Sequence, residues 1–148
     1  ILRPGAVTKE MLFDICDVVV DSAVLNDLAD GAEATSPGMK YKHYSPCADV
    51  VMVESSLEDF INLVNENNRD NVYSLIFNGD EKTFPFRYMT YGSDSSEQAH
   101  YIFRRLRELD DMGAEKIFVR SPDTEGIGLA VYNRLIRSAG FEVIRIKE

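Results

Sequence analysis

Asp49-Val50-Val51-Met52-Val53-Glu54-Ser55-Ser56-Leu57-Glu58-Asp59-Phe60-Ile61-Asn62-Leu63-Val64 is the stretch whose reading decides the fold. Its first six residues are short and β-branched, which predicts a strand over 49–54. Ser55 with Glu58 three residues later is a capping-box signal. Leu57, Phe60, Ile61 and Val64 then fall at helical spacing, and Asn67-Asn68 ends that helix. The alternation continues to the end of the chain. Residues 72–77 predict the next strand, closed by Asn78-Gly79-Asp80. Phe84-Pro85-Phe86 reads as an apolar loop and 87–91 as a third strand. Ser95 with Gln98 opens the strongest helix, striped by Ala99, Ile102, Phe103, Leu106 and Leu109 and stopped at Gly113. Residues 116–120 are a strand, Thr124 is placed as the cap of a last helix to Ala139, and 141–146 form the final strand. Strands alternating with helices predict an α/β fold: a small Rossmann-like domain over 49–148, its sheet mostly parallel and flanked by helices.

Ahead of that domain the periodicity fails. Residues 1–8 read as a strand tail with a turn at Pro4-Gly5, and Thr8 caps a short helix carrying Met11, Leu12 and Phe13. From 22 to 46, Gly, Ala, Ser, Asp and Pro dominate. So long a stretch without an element is unusual inside a compact domain, and it predicts a long extended linker with a function. Its core is Ser36-Pro37-Gly38-Met39-Lys40-Tyr41-Lys42-His43-Tyr44-Ser45-Pro46. Lys charges interleaved with phenols suit an anionic, ring-bearing ligand such as a nucleotide. A solvated, proline-stiffened linker has the same composition, and the residues alone leave both readings open.

The bulk numbers exclude several classes. The 148 residues allow one domain with a real core. An apolar fraction of 45% is that of an ordinary globular protein. The net charge of -9 argues against a general grip on nucleic acid or anionic membrane, which need basic fields. Cys16 and Cys47 form no CxxC and lie in no zinc-spaced His cluster, so free thiols in a reducing cytosol are expected, with a disulfide between them as the alternative. No apolar run approaches the roughly 20 residues of a membrane span. The start carries neither a signal-peptide pattern nor Met, as expected of a piece of a longer protein.

The remaining motifs have bland explanations. Gly126-x-Gly128 opens a helix after a strand, where dinucleotide folds hold pyrophosphate. Val131 stands where the third glycine belongs, and Asp123 and Glu125 repel phosphate, so close packing is the preferred reading. Ser93, Asp94 and Ser95 are explained by helix capping. Asp110-Asp111 reads as a solvated helix end, and His100 as an ordinary helix histidine. No catalytic or metal-binding set stands out.

Three stretches in order nevertheless carry a family resemblance. S-P-G-M-K-Y-K-H-Y-S-P resembles the interdomain linker of the two-domain, Sua-type threonylcarbamoyl-AMP synthases. Ile1-Leu2-Arg3-Pro4-Gly5-Ala6-Val7-Thr8 is similar to the exit of their YrdC-like catalytic domain. Gly126-Ile127-Gly128-Leu129-Ala130-Val131-Tyr132-Asn133-Arg134-Leu135 is similar to their G-x-G-L-A-x-x-N-R-L run. The resemblance implies that residues 1–20 are the tail of the catalytic domain, 21–48 the linker or lid, and 49–148 the C-terminal domain. It implies a cytoplasmic parent enzyme that joins L-threonine, bicarbonate and ATP, with Mg2+, into L-threonylcarbamoyladenylate and pyrophosphate, a step toward threonylcarbamoyladenosine in tRNA. It places Arg3 and Tyr44 at the ATP, with Lys40, Tyr41 and His43 beside them. The partner it implies is the catalytic domain of the same polypeptide, with no direct tRNA contact by this chain. That domain, apart from its last residues, is missing here, so the chain is expected to be inactive alone. The alternative is a stand-alone regulatory module that binds a nucleotide or a protein without catalysis.

Overall fold

Val50 and Met52 enter one apolar cluster while Val51 and Val53 enter another. Side chains alternate across a strand, so a strand buried this way is covered on both faces. The computed structural model describes residues 1–26 and 46–146. In chain order its elements are α1 (Lys9–Phe13), β1 (Asp49–Glu54), α2 (Leu57–Glu66), β2 (Val72–Ile76), β3 (Tyr88–Thr90), α3 (Ser95–Asp111), β4 (Lys116–Arg120), α4 (Gly128–Ser138) and β5 (Val143–Arg145). Short 3-10 turns lie at Ser22–Val24 and Asp80–Lys82.

The strands form one sheet in the order β3-β2-β4-β1-β5, every neighbouring pair parallel. The expected α/β architecture is thus what the chain adopts. α3 and α4 supply Ile102, Leu106, Leu109, Leu135 and Ile136 to the cluster on one face. α2 supplies Phe60 and Val64 to the other, where the 84–86 loop takes the place of a second helix, with Phe84 buried beside Phe60. Coverage on both sides is what an all-parallel sheet requires, because crossover connections run over its faces.

Three helix starts differ from the sequence reading. Ser56, not Ser55, caps α2: its hydroxyl accepts from the Asp59 amide at 3.1 Å and donates to the Asp59 carboxylate at 2.8 Å. Ser55 is one residue too early because Glu54 still belongs to the sheet, its carbonyl accepting from the Ile146 amide. Asp94 caps α3 by accepting from Ser96 and Glu97, a carboxylate at the positive end of the helix. Thr124 caps nothing: α4 begins only at Gly128, and Ile127 at its N-cap gives no side-chain bond. Thr8 does cap α1, accepting from the Met11 amide.

Residues 1–26 lie partly on this domain. Ala23 and Val24, in the part of the sequence read as linker, are buried. Their carbonyls accept from Arg137 and Asn133 of α4.

Candidate functional site

β1 and β4 are neighbours, but the chain leaves them toward opposite faces. After β1 it enters α2 on one side, and after β4 it enters α4 on the other. Such a switch point leaves a crevice at the carboxyl ends of the two strands, the usual ligand position in an open parallel sheet. Here it is a cleft of about 330 Å³ lined by Glu54 at the end of β1, Ser55 after it, residues 121–124 after β4, and Tyr132 of α4.

Glu54 organises the cleft. Its carboxylate accepts from the Tyr132 hydroxyl at 2.7 Å and from Arg145 Nε at 2.8 Å. Burial, reinforced by the hydrogen bond to the Glu54 anion, pushes the Tyr132 phenol up to about 12. The same carboxylate holds the Arg145 guanidinium above its ordinary range. Tyr132 is therefore a neutral donor at physiological pH and no phenolate nucleophile. Because its proton is held more tightly in the fold than in the unfolded chain, its contribution to stability is complete below pH 10 and lost as pH rises toward 12. Glu54→Gln removes the anion and is expected to lower the Tyr132 pKa and move that alkaline loss to lower pH. Phenolate absorbance and urea midpoints measured across this range check it.

The β4–α4 loop forms the wall opposite. Asp123 Oδ1 accepts from the Glu125 amide at 3.1 Å, and Gly126 takes a left-handed φ of 53°. A Cβ on Gly128 would stand 2.6 Å from the Asp123 carbonyl oxygen, so only glycine lets the helix start this close to the loop. The Glu10 backbone amide and the Thr8 hydroxyl, with a smaller share from the Gly126 backbone, hold the Glu10 carboxyl of α1 below its usual range. Gly128 therefore serves close packing and Gly126 the left-handed turn, and with Glu10, Asp123 and Glu125 around the loop the arrangement disfavours a pyrophosphate.

Of the sequence-predicted sites, Arg3 is exposed, next to the buried Pro4. Lys40, Tyr41, His43 and Tyr44 lie outside the described residues. Asp110, expected at a solvated helix end, accepts on its two oxygens from the amides of Cys47 and Ala48 at 3.0 and 3.1 Å. Asn133, which the sequence does not single out, is a buried donor to the Val24 carbonyl. A polar residue on an otherwise apolar helix face was the available signal for it. Cys16 and Cys47 are free and exposed. Among the described residues no three His, Cys, Asp or Glu are grouped to hold a metal, and no helix is long and apolar enough to cross a membrane.

Comparison with known proteins gives concordant matches. The model of the family described as threonylcarbamoyl-AMP synthase, C-terminal domain, matches residues 7–140. The threonylcarbamoyl-AMP synthase of Pyrococcus abyssi is 30% identical over 99% of this chain, which spans 44% of that protein. The Bacillus subtilis protein of the same name is 32% identical over 98% of the chain, 43% of its own length. A crystal structure of P. abyssi Sua5 complexed with L-threonine superposes with a TM-score of 0.77 at 30% identity, over 99% of this chain and 44% of that one. The chain thus spans less than half the length of these relatives. It belongs to the threonylcarbamoyl-AMP synthase C-terminal domain family.

Proposed function

We propose that this chain is the linker and accessory C-terminal domain of an L-threonylcarbamoyladenylate synthase acting in tRNA threonylcarbamoyladenosine formation. The observation that carries the reading is the family match over residues 7–140 in a chain spanning under half of its relatives. Chemistry is assigned to the catalytic part of the parent. There the L-threonine amine and bicarbonate form a carbamate with loss of water, and a carbamate oxygen attacks the α-phosphorus of ATP and expels pyrophosphate. Mg2+ accompanies the ATP. Among the described residues no three His, Cys, Asp or Glu are grouped to hold a metal, and no step of this chain runs through it.

The chain's contribution is shelter and contact. A carbamate and its mixed anhydride with AMP both decompose in water, so closure over the site protects them. In this proposal Arg3 and Tyr44 contact ATP. Lys40, Tyr41 and His43 contact phosphate or fix the path of the linker. Pro37 and Pro46 restrict the backbone and lower the entropy lost on docking. The Rossmann-like unit is the anchor.

The test is a product assay on the full-length parent with L-threonine, bicarbonate, ATP and Mg2+. Tyr44→Ala and Lys40→Ala are expected to lose about tenfold or more, about 1.4 kcal/mol of transition-state stabilisation, with the fold intact. Tyr44→Phe separates the hydroxyl from the ring. Wild-type rates in all three variants would sink this reading. The switch-point cleft would then favour a module that binds a small ligand of its own.

A further inference from the structure

The cleft at the carboxyl ends of β1 and β4 has no part in the proposed function, yet its side chains share one chemical property. The Tyr132 hydroxyl donates to Glu54. The Ser55 hydroxyl donates to the Ser56 carbonyl at 3.0 Å, and the Ser121 hydroxyl to the Pro122 carbonyl at 3.3 Å. A hydroxyl has one proton to give and two lone pairs with which to accept. Three of the four hydroxyls lining the cleft have thus committed their proton and keep their acceptor capacity, Thr124 being the fourth.

The carboxylates extend the same pattern. Each Glu54 oxygen accepts one bond, from Tyr132 or from Arg145, and a carboxylate oxygen has room for a second. Arg145 balances the Glu54 charge. Asp123 accepts from the Glu125 amide through Oδ1, and among the described residues it has no cationic partner. The lining therefore carries a net negative charge and a surplus of acceptors. An anion would be repelled by both carboxylates, and residues 127–129, the uncapped start of α4, do not line the cleft. A wholly apolar ligand would cover these acceptors without bonding them, which is costly.

We propose that this cleft is a binding site for a small organic cation bearing a primary ammonium group. An ammonium supplies three N–H donors and the missing positive charge. Asp123 is the charge partner, and Glu54 and the serine oxygens accept the remaining protons. Tyr132 and Arg145 hold Glu54 in place before the ligand arrives, so little ordering is left to do on binding. Pro122 and the Tyr132 ring offer an apolar surface to an alkyl stem. The position is the one where open parallel sheets take their ligands. The proposal does not depend on the proposed function.

The test titrates this chain, isotope-labelled, with n-butylammonium chloride at neutral pH, with sodium chloride holding the ionic strength constant. The backbone amide resonances of Ser55, Ser121, Asp123 and Thr124 are followed. Saturable shifts are expected, with tetramethylammonium, which has the charge but no N–H, binding about tenfold or more weakly. Asp123→Asn keeps the Oδ1 acceptor for the Glu125 amide and loses the charge, and it is expected to weaken n-butylammonium about tenfold. Glu125→Gln removes a carboxylate of the same loop that does not line the cleft; its affinity is expected to stay within about twofold of wild type, because solvent screens an exposed charge. The comparison of the two cations needs no variant, so it decides the matter even where a substitution disturbs the loop. Shifts that never saturate, equal binding of tetramethylammonium, or equal losses in Asp123→Asn and Glu125→Gln overturn the site, since the response is then the general attraction of an acidic chain for cations. Tighter binding of Mg2+ at the same amides overturns the ligand class.

Discussion

Phe60→Ala is expected to destabilise this chain by about 3–5 kcal/mol, the range for deleting a fully buried aromatic ring. Phe60 has no exposed surface. It stands 5.8 Å, ring centre to ring centre, from Phe84 and shares a cluster with Val51, Val53, Val72, Ile76 and Phe118. The opposite face has two long helices, so one lost side chain there leaves neighbours able to close in. This face has only α2 and the 84–86 loop. The two are joined through the Phe60–Phe84 contact, and collapse into the cavity would have to drag the loop along. The result is a fall in melting temperature of about 10 °C and a matching drop in urea midpoint. Phe60→Leu retains most of the buried volume and is expected to lose less than half as much. A loss below about 1 kcal/mol in Phe60→Ala, against the usual cavity range, would mean that the loop repacks freely and that the Phe60–Phe84 contact does not join it to α2.

The architecture was legible because an all-parallel sheet writes its own pattern. Residues 50–53 are an unbroken apolar run, and the alternation with amphipathic stripes in 57–64 and 99–109 leaves few other folds. Strand order was not legible. β4 inserts between β1 and β2, and local periodicity carries no record of which strands pair. The helix caps slipped by one residue at Ser55 and Ser95 because each has a second competent capper next to it. Ser56 and Asp94 win because the chain leaves the sheet at Glu54 and turns at Gly92, where a Cβ would meet the Gln98 amide nitrogen at 2.7 Å.

The site was legible unevenly, for a related reason. The basic, aromatic run at 40–44 stands out in an acidic chain and is readable by composition and family likeness. Glu54, Tyr132 and Arg145 do not stand out, because they meet only when β1, α4 and β5 come together. The bonds of Asp110 do not stand out for the same reason: an acid near a helix end is usually solvated, and its two amide donors lie 62 and 63 residues away. Long-range polar pairing is set by topology, and topology is what the pattern of one strand at a time leaves out.

Topology also creates the pair whose loss should cost nearly as much as Phe60. Arg120, the last residue of β4, donates to Asp80 Oδ2 at 2.7 Å, with the two side chains only 16% and 14% exposed. The same oxygen accepts from the Phe77 amide at 3.0 Å. The guanidinium lies 4.7 Å from the Phe77 ring centre, and the Arg120 carbonyl accepts from the Tyr91 hydroxyl at 2.7 Å. Burial raises the Tyr91 phenol well above its ordinary range, so it stays a donor. The cluster fastens together the carboxyl ends of β2, β3 and β4. Arg120→Ala strands the Asp80 charge with one amide for company and is expected to cost about 3 kcal/mol, the low end for breaking a buried pair. Combining it with Asp80→Ala recovers part of that loss, because the unpaired charge goes too. Arg104→Ala is the control: its bridge to Glu108 has the arginine 70% exposed and is screened by solvent, so little stability is expected to go with it. Arg120 directly precedes residues 121–124, the β4 wall of the cleft, so the variant also loosens the surface that faces Glu54. If urea unfolding finds Arg120→Ala no worse than Arg104→Ala, the pair is one more surface bridge, and backbone pairing alone holds that wall.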